Sequence, residues 1–458
     1  MTVLHADALD ALRSMPDNSV DSIVTDPPYG LAEHKPEVIA KALAAWLSGD
    51  REHVPDGRGF MGRRWDAFVP PPAVWDEALR VLKPGGHLLA FAGSRTADLM
   101  GISIRLAGFE MRDTITWHYA SGFPKSLDVS KAIDKAAGAT REITGTRMGD
   151  VGIQGGNFAN ATKRGVIEQR EAPATEAAQQ WSGWGTALKP ASEPIVVARK
   201  PLGGTVAACV LEHGTGALNI DGCRVEGGPI ASAGGTRRSG GIMGESTPLG
   251  GWGATHSGRW PANVVLTHAP DCGPDDTTPC VDGCPVADLD AQSAGTRSDK
   301  ASASGSAGRA PIDGGVYAGG AGVGGSEVRV SYADGGGASR FFPTFRYQAK
   351  APTRERPSYV TDDGRKIAHP TVKPLALIRW LVRLVTPPGG LVVDPFAGSG
   401  TTGEAAMLEG FRAILVELEG EHLPLIAERL ARSAPPVVPA QPSAALAAFR
   451  EMSGSPIG

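Results

Sequence analysis

GGLVVDPFAGSGTTGEAAMLEGFRAILVEL, residues 389–418, passes through three elements in quick succession. GGLVVD (389–394) is an apolar run of strand length, GTTGEAAMLEG (400–410) has helical composition closed by glycine, and FRAILVEL (411–418) is a second apolar strand. Strand, helix and strand joined this closely predict a βαβ unit, and with it an α/β layer built on a mostly parallel sheet. The connecting loop FAGSGTT (396–402) lets backbone pass close to a nucleotide-like ligand, with helix N–H groups pointing at it. Glycines are also placed at such loops for packing alone. Glu417, closing the second strand, is positioned to accept hydrogen bonds from ribose hydroxyls. No lysine follows the glycines, which disfavours a phosphate-cradling P-loop.

The same alternation extends outward. PLALIRWLVRLV (374–385) sets Leu377, Trp380, Leu381 and Leu384 on one helical face, with Pro374 in a tolerated first-turn position. EHLPLIAERLAR (421–432) is a further helix. Near the N-terminus, VDSIVT (20–25), HLLAFAG (87–93) and MRDTITWHY (111–119) read as strands. PAVWDEALRVL (72–82) reads as an amphipathic helix with Val74, Ala78, Leu79 and Leu82 in one stripe, stopped by KPGG (83–86). Between 121 and 340, Gly, Ser, Ala and Thr dominate; 227–253 and 293–325 read as long loops. Firmer islands interrupt them at SEPIVVARKPL (192–202), TVAACVLEHG (205–214) and RWPANVVLTH (259–268). The expected division is 1–120, an inserted region 121–340 with little core of its own, 341–435, and a loosely ordered tail 436–458.

A chain of 458 residues with 41% hydrophobic content can bury a sizeable core and exceeds one ordinary domain. Its formal net charge of −4 gives no global basic signature, so nucleic-acid contact would need a local patch. No signal-peptide pattern opens the sequence and no apolar run is long enough to span a membrane, so a soluble cytoplasmic protein is expected. Five cysteines do not make a disulfide scaffold in a chain of this size.

A second Asp-Pro element, DPPYG (26–30), ends the strand VDSIVT. Two prolines deny the backbone a helical or ladder role and hold a stiff, extended turn. The Asp26 carboxylate and the Pro27 carbonyl can both accept hydrogen bonds from an exocyclic amine, and the Tyr29 ring can stack on a planar base. Methyl transfer to an amino nitrogen needs this, because the nitrogen lone pair is delocalised into the ring and two acceptors bias it toward a tetrahedral, nucleophilic geometry. The plain alternative is a Pro-Pro turn capping a strand.

DPPYG followed by FAGSGTT resembles the amino-directed DNA methyltransferases, which modify adenine N6 or cytosine N4 using S-adenosylmethionine. The order, DPPY first and glycine loop last with a long insert between, is similar to the permuted β class. The resemblance implies an α/β, Rossmann-like S-adenosylmethionine-dependent methyltransferase fold, circularly permuted, with a loop-rich inserted target-recognition region. It implies Asp26, Pro27, Pro28 and Tyr29 as the catalytic turn. Asp26 and the residues Asp394, Pro395, Phe396, Ala397, Gly398, Ser399, Gly400, Thr401 and Thr402, with Glu417, would bind the cofactor. LHADALDALRSM (4–15) resembles the family's opening segment, placing Asp7 and Ala8 at the cofactor's adenine, and HPTVKP (369–374) its Lys-Pro segment, placing Lys373 at the methionine end. LVELE (415–419) lacks a glycine often found before the acidic residue. FMGRRWD (60–66), SGFPKS (121–126), GWGTALKPASEPIVVARKPL (183–202), GTGALNIDGCRV (214–225) and RWPANVV (259–265) are similar to a subgroup common in phages and prophages. Double-stranded DNA is the implied partner, with the target base flipped out of the stack, and a homodimer is an allowed assembly. Asp at the head of the motif favours adenine N6; cytosine N4, RNA and protein amides are the alternatives.

Residues 340–373 carry Arg340, Arg346, Lys350, Arg354, Arg356, Arg365, Lys366 and Lys373, with Phe341, Phe342, Phe345 and Tyr347 among the first of them. That mixture suits a phosphate-tracking, base-stacking surface, and equally a solvated linker. His268, Cys272, Cys280 and Cys284 form H-x3-C-x7-C-x3-C in a stretch poor in core residues, a set that could close a structural zinc site or stand as free thiols.

Overall fold

The computed structural model describes residues 1–59, 62–119, 126–149, 166–230, 236–238, 246–248, 256–269, 272–273, 279–293, 337–345 and 355–433. Most of SGFPKS, most of the stretches 227–253 and 293–325, Arg346, Tyr347, Lys350, Arg354 and the tail 436–458 lie outside the described residues.

Nine strands form one sheet: β1 (Thr2–His5), β2 (Val20–Thr25), β3 (Leu82–Phe91), β4 (Glu110–His118), β5 (Ser192–Arg199), β6 (Val264–Thr267), β7 (Thr344–Phe345), β8 (Leu391–Asp394) and β9 (Arg412–Glu417). Their spatial order is β1-β9-β8-β2-β3-β5-β4-β6-β7. All neighbours pair parallel except β5, which runs antiparallel to both β3 and β4. The sheet alternates residues between two apolar layers, as the period of two requires. On one face, Ile23, Leu88, Ala90, Val196, Ala198, Val393 and Val416 pack against α1 (Ala8–Ser14), α2 (Pro36–Leu47), α3 (Pro72–Val81) and α4 (Ala97–Leu106). On the other, Val24, Leu89, Phe91, Ile195, Val197, Val392 and Leu415 pack against α6 (Leu375–Val385), α7 (Thr401–Leu408) and α8 (Leu423–Ser433). Helix α5 spans Pro285–Ser293, and shorter helices lie at Val129–Ala136, Glu176–Gln180 and Val206–His213.

From β8 the chain crosses through α7 to β9 on one side; from β2 it crosses through α3 to β3 on the opposite face and in the opposite direction. The carboxyl ends of β8 and β2 therefore flank a topological switch point, where open α/β sheets bind ligands. Thr25 and Asp394, 369 positions apart in the chain, meet there.

Several expectations shift in detail. The helix at 72–81 stops at Leu82, already extended, and KPGG belongs to β3 rather than to the helix stop, with Gly85 at φ 77°. Pro374 is the N-cap of α6, one step before its first turn. The 121–340 region has a small apolar cluster around Ala269, Cys284 and Val286, and β5 and β6 from that region lie inside the main sheet. No described helix is long and apolar enough to cross a membrane.

Candidate active site

Four acidic side chains stand at the ends of four adjacent strands: Asp7 after β1, Glu417 on β9, Asp394 on β8 and Asp26 after β2. Asp7 is exposed and caps α1 by accepting from Leu9 N–H at 2.8 Å. Asp394 is buried; it accepts from Thr25 Oγ1 at 2.7 Å and from Phe396 N–H at 3.1 Å. Burial pushes its carboxyl up to about 6, against the pull of hydrogen bonds from Thr402 and Thr25.

The DPPYG turn is fastened from both sides. Buried Asp66 accepts the N–H groups of Tyr29 and Gly30 at 2.8 and 2.9 Å, and Thr96 Oγ1 donates to the Tyr29 carbonyl at 2.6 Å. Gly30 sits at φ 68° with no space for a Cβ against the Phe68–Val69 backbone. Thus held, Asp26 presents two unlike oxygens. Oδ2 receives the Lys373 ammonium at 2.8 Å, while Oδ1 is buried without a hydrogen-bond partner among the described residues. Such an orphaned acceptor carries a desolvation cost that a donor from a ligand would remove.

Lys373 binds more than Asp26. It donates to Tyr29 Oη at 3.0 Å and lies 3.4 Å from Glu193 Oε2, and the Tyr29 hydroxyl itself donates to Glu193 Oε2 at 3.0 Å. The ammonium also lies 5.2 Å from the Tyr29 ring centre and 5.0 Å from that of Phe91. Burial works against the Lys373 charge, but the Asp26 and Glu193 carboxylates overcome it and hold the lysine above its ordinary range. For Asp26, burial raises the carboxyl and the lysine only partly offsets it; Tyr29 is raised strongly, first by burial and then by the two carboxylates. At neutral pH the tyrosine is neutral and the lysine charged.

The glycine loop is built for packing. A Cβ at Gly398, where φ is 54°, would come 2.8 Å from His369 Nε2; at Gly400, φ 81°, it would meet Ile426 at 3.0 Å. Glu417 holds the loop from beneath, accepting from Gly398 N–H at 2.8 Å, while its other oxygen accepts from Glu419 N–H at 2.8 Å and lies 3.2 Å from His422 Nδ1. A carboxylate has about four acceptor positions, so these bonds leave room for a ligand hydroxyl. His369 stacks edge-on against His422 at 4.9 Å, and burial lowers its imidazole to about 3, leaving it neutral.

The structure thus brings Asp26, Tyr29, Lys373 and Asp394 to the switch point, with Asp7 and Glu417 further along the same edge. Lys373, expected at a cofactor's methionine end and among the basic surface residues, is buried against the DPPY turn. Of that basic group, Arg365 pairs with Asp363 at 2.8 Å and Arg340 covers the Phe341 ring at 4.4 Å. Sequence reasoning missed Glu193, Asp66, Thr25 and His369. Glu193 immediately precedes an apolar run too continuous for a surface loop, and both Glu193 and Asp66 lie in stretches quoted for the family resemblance, but neither is given a role there.

Residues 327–428 match the DNA methylase family, so the resemblance read from the sequence to N4/N6 DNA methylases holds. The Type II methyltransferase M.HindIII of Haemophilus influenzae is 23% identical over 244 residues, 47% of this chain and 64% of that one. The DNA adenine methyltransferase YhdJ of Escherichia coli is 39% identical over 75 residues, 16% of this chain and 25% of that one. The chain spans less than two thirds of either relative. Among solved structures, the cytosine-N4-specific PvuII DNA methyltransferase aligns over 93% of this chain and 85% of its own, at 14% identity and a TM-score of 0.38.

Proposed function

We propose that this protein transfers a methyl group from S-adenosylmethionine to an exocyclic amine of a flipped DNA base, adenine N6 in preference to cytosine N4. The observation that carries the reading is Asp26: one carboxylate oxygen neutralised by Lys373, the other buried and unsatisfied at the mouth of the switch point. That unpaired oxygen accepts one N–H of the target amine, and the Pro27 carbonyl is the second acceptor. The Tyr29 ring offers the stacking surface. S-adenosylmethionine supplies an electrophilic methyl carbon on a sulfonium.

The row Asp7, Glu417, Asp394 and Asp26 supports that cofactor over a dinucleotide. Carboxylates suit ribose hydroxyls, an ammonium and a sulfonium, and repel a pyrophosphate. With S-adenosylmethionine held at this edge, the amine lone pair would displace the methyl carbon from sulfur, the carbon–sulfur electrons going to sulfur, and Asp26 would carry the amine's surplus proton to solvent. Rate would come from alignment of the amine, methyl carbon and sulfur. Residues 121–340 are the proposed target-recognition region, and the permuted order of the two halves is part of the same reading.

The test is nucleoside mass spectrometry of unmodified genomic DNA incubated with the protein and S-adenosylmethionine, beside Asp26→Ala. The expected result is N6-methyladenine, absent with the variant. N4-methylcytosine keeps the mechanism and reverses the base. No methylated base, with protein shown to bind the cofactor, overturns the reading for DNA and turns attention to RNA.

A further inference from the structure

His268, Cys272, Cys280 and Cys284 converge in the structure, each offering one ligand atom, with all four atoms within 4.8 Å of one another. Cys280 Sγ lies 3.2 Å and Cys284 Sγ 3.5 Å from His268 Nδ1. In a tetrahedral zinc site with Zn–S near 2.3 Å and Zn–N near 2.0–2.1 Å, the ligand atoms stand about 3.5–3.8 Å apart. The four side chains already have nearly that spacing, with His268 and Cys284 buried and the other two half-buried. Ala269 N–H points at Cys284 Sγ at 3.5 Å, the kind of outer-shell donor that steadies a metal-bound thiolate.

The surroundings supply little else to hold these groups together. Among the described residues, the buried apolar cluster there is Ala269, Cys284 and Val286, with Leu266, Val281 and Ala287 partly buried against it. We infer that this set is a closed, structural zinc centre that fastens the loop-rich region to the edge of the methyltransferase sheet. Its four protein ligands leave no position for a substrate, so it takes no part in methyl transfer, and the inference stands independently of the proposed reaction.

What the metal would fasten can be followed bond by bond. His268 directly follows β6, and its backbone N–H donates to the Phe345 carbonyl of β7 at 3.0 Å. Phe345 packs edge-on against Trp380 of α6 at 6.4 Å. Cys284 immediately precedes α5, whose Asp290 accepts from Ser339 N–H at 2.8 Å and from Ser339 Oγ at 2.7 Å, just before β7. The metal therefore closes a ring of contacts through β6, α5 and β7, and its binding free energy becomes ordering free energy for that edge.

The test uses the full chain purified without chelator. Elemental analysis is expected to give about one zinc per chain, and X-ray absorption to show three sulfur ligands and one nitrogen. Cys272→Ser should lower zinc content at least about tenfold, while Cys209→Ser and Cys223→Ser, buried thiols elsewhere, should keep it. Stripping the wild-type chain of metal should speed amide exchange in β6 and β7 while leaving β2 and β8 protected, and adding zinc should restore it. Because the wild-type readings need no variant, a poorly folding Cys272→Ser does not obscure the answer. Wild-type protein that neither carries nor takes up zinc, or that holds two of these cysteines as a disulfide, overturns the inference.

Discussion

In the proposed reaction Asp26 would accept a substrate amine as the carboxylate, and Lys373 is the cation that favours that form against burial. Lys373→Met removes that cation and leaves Glu193 as a nearby like charge, so the Asp26 carboxyl must rise further. A carboxylate whose proton is held more tightly loses its acceptor role at higher pH as the solution is acidified. The acid limb of the kcat–pH profile of Lys373→Met is therefore expected to move upward from the wild-type limb. Parallel profiles that differ only in height would show that the lysine binds ligand and does not tune Asp26. Gly398 is constrained differently: its φ of 54° costs any other residue about 1–2 kcal/mol, and a Cβ would press on His369, itself stacked on His422. Gly398→Ala should lower unfolding free energy by at least about that amount and weaken S-adenosylmethionine binding in a titration calorimeter. Unchanged cofactor affinity in the destabilised variant would mean the loop packs without touching ligand.

At the scale of elements, β5 is the strand on which the site most depends, and its place in the main sheet was not legible beforehand. It comes from the stretch between the DPPYG turn and the glycine loop, lies antiparallel between β3 and β4, and brings Glu193 to Lys373 and Tyr29. Ile195 is wholly buried in it, so Ile195→Ala should cost about 2–5 kcal/mol in urea unfolding, whereas Leu188→Ala, 92% exposed, should change stability by no more than about 0.5 kcal/mol. Equal effects would place β5 outside the cooperative unit. The βαβ unit around FAGSGTT, the strand before DPPYG and the helix at 375–385 were readable because their signals are local: apolar period, glycine and proline placement. β5 and β6 show the same apolar runs, but nothing local says which sheet a run joins, since pairing is decided by partners far along the chain. Asp66 illustrates the limit at a single position: its role depends on two backbone N–H groups of a turn that meets it only after folding. The His268 cluster lies at the other extreme, because one His and three Cys in a short stretch poor in core residues were enough to suggest a metal site.

For the whole molecule, acid stability is a contest between buried groups of opposite behaviour. His87, buried on β3 and facing Arg199 and Arg112, is lowered to about 4, first by burial and then by those two cations; His369 is lowered to about 3, first by burial. An unfolded chain protonates both near 6.5, so the stability their neutral forms contribute above that pH drains away as pH falls toward 4 and 3. Asp394 runs the other way. Raised to about 6, it binds its proton in the native state before the unfolded state does, so it returns stability as pH falls from about 6 toward 3.8, and Asp26, also raised, acts in the same sense. The net slope is thus a difference of several terms, and the informative quantity is one variant against the wild type. His87→Gln keeps a polar side chain of similar size and cannot titrate. Its unfolding free energy should fall less steeply on acidification, the two curves converging by about 1.4 kcal/mol per pH unit between 6 and 4. Asp394→Asn should do the reverse, losing the recovery that the wild type gains below pH 6. Urea unfolding at pH 7, 6 and 5 separates these cases: if the His87→Gln and wild-type curves stay parallel, His87 titrates alike in both states and its burial carries no pH cost.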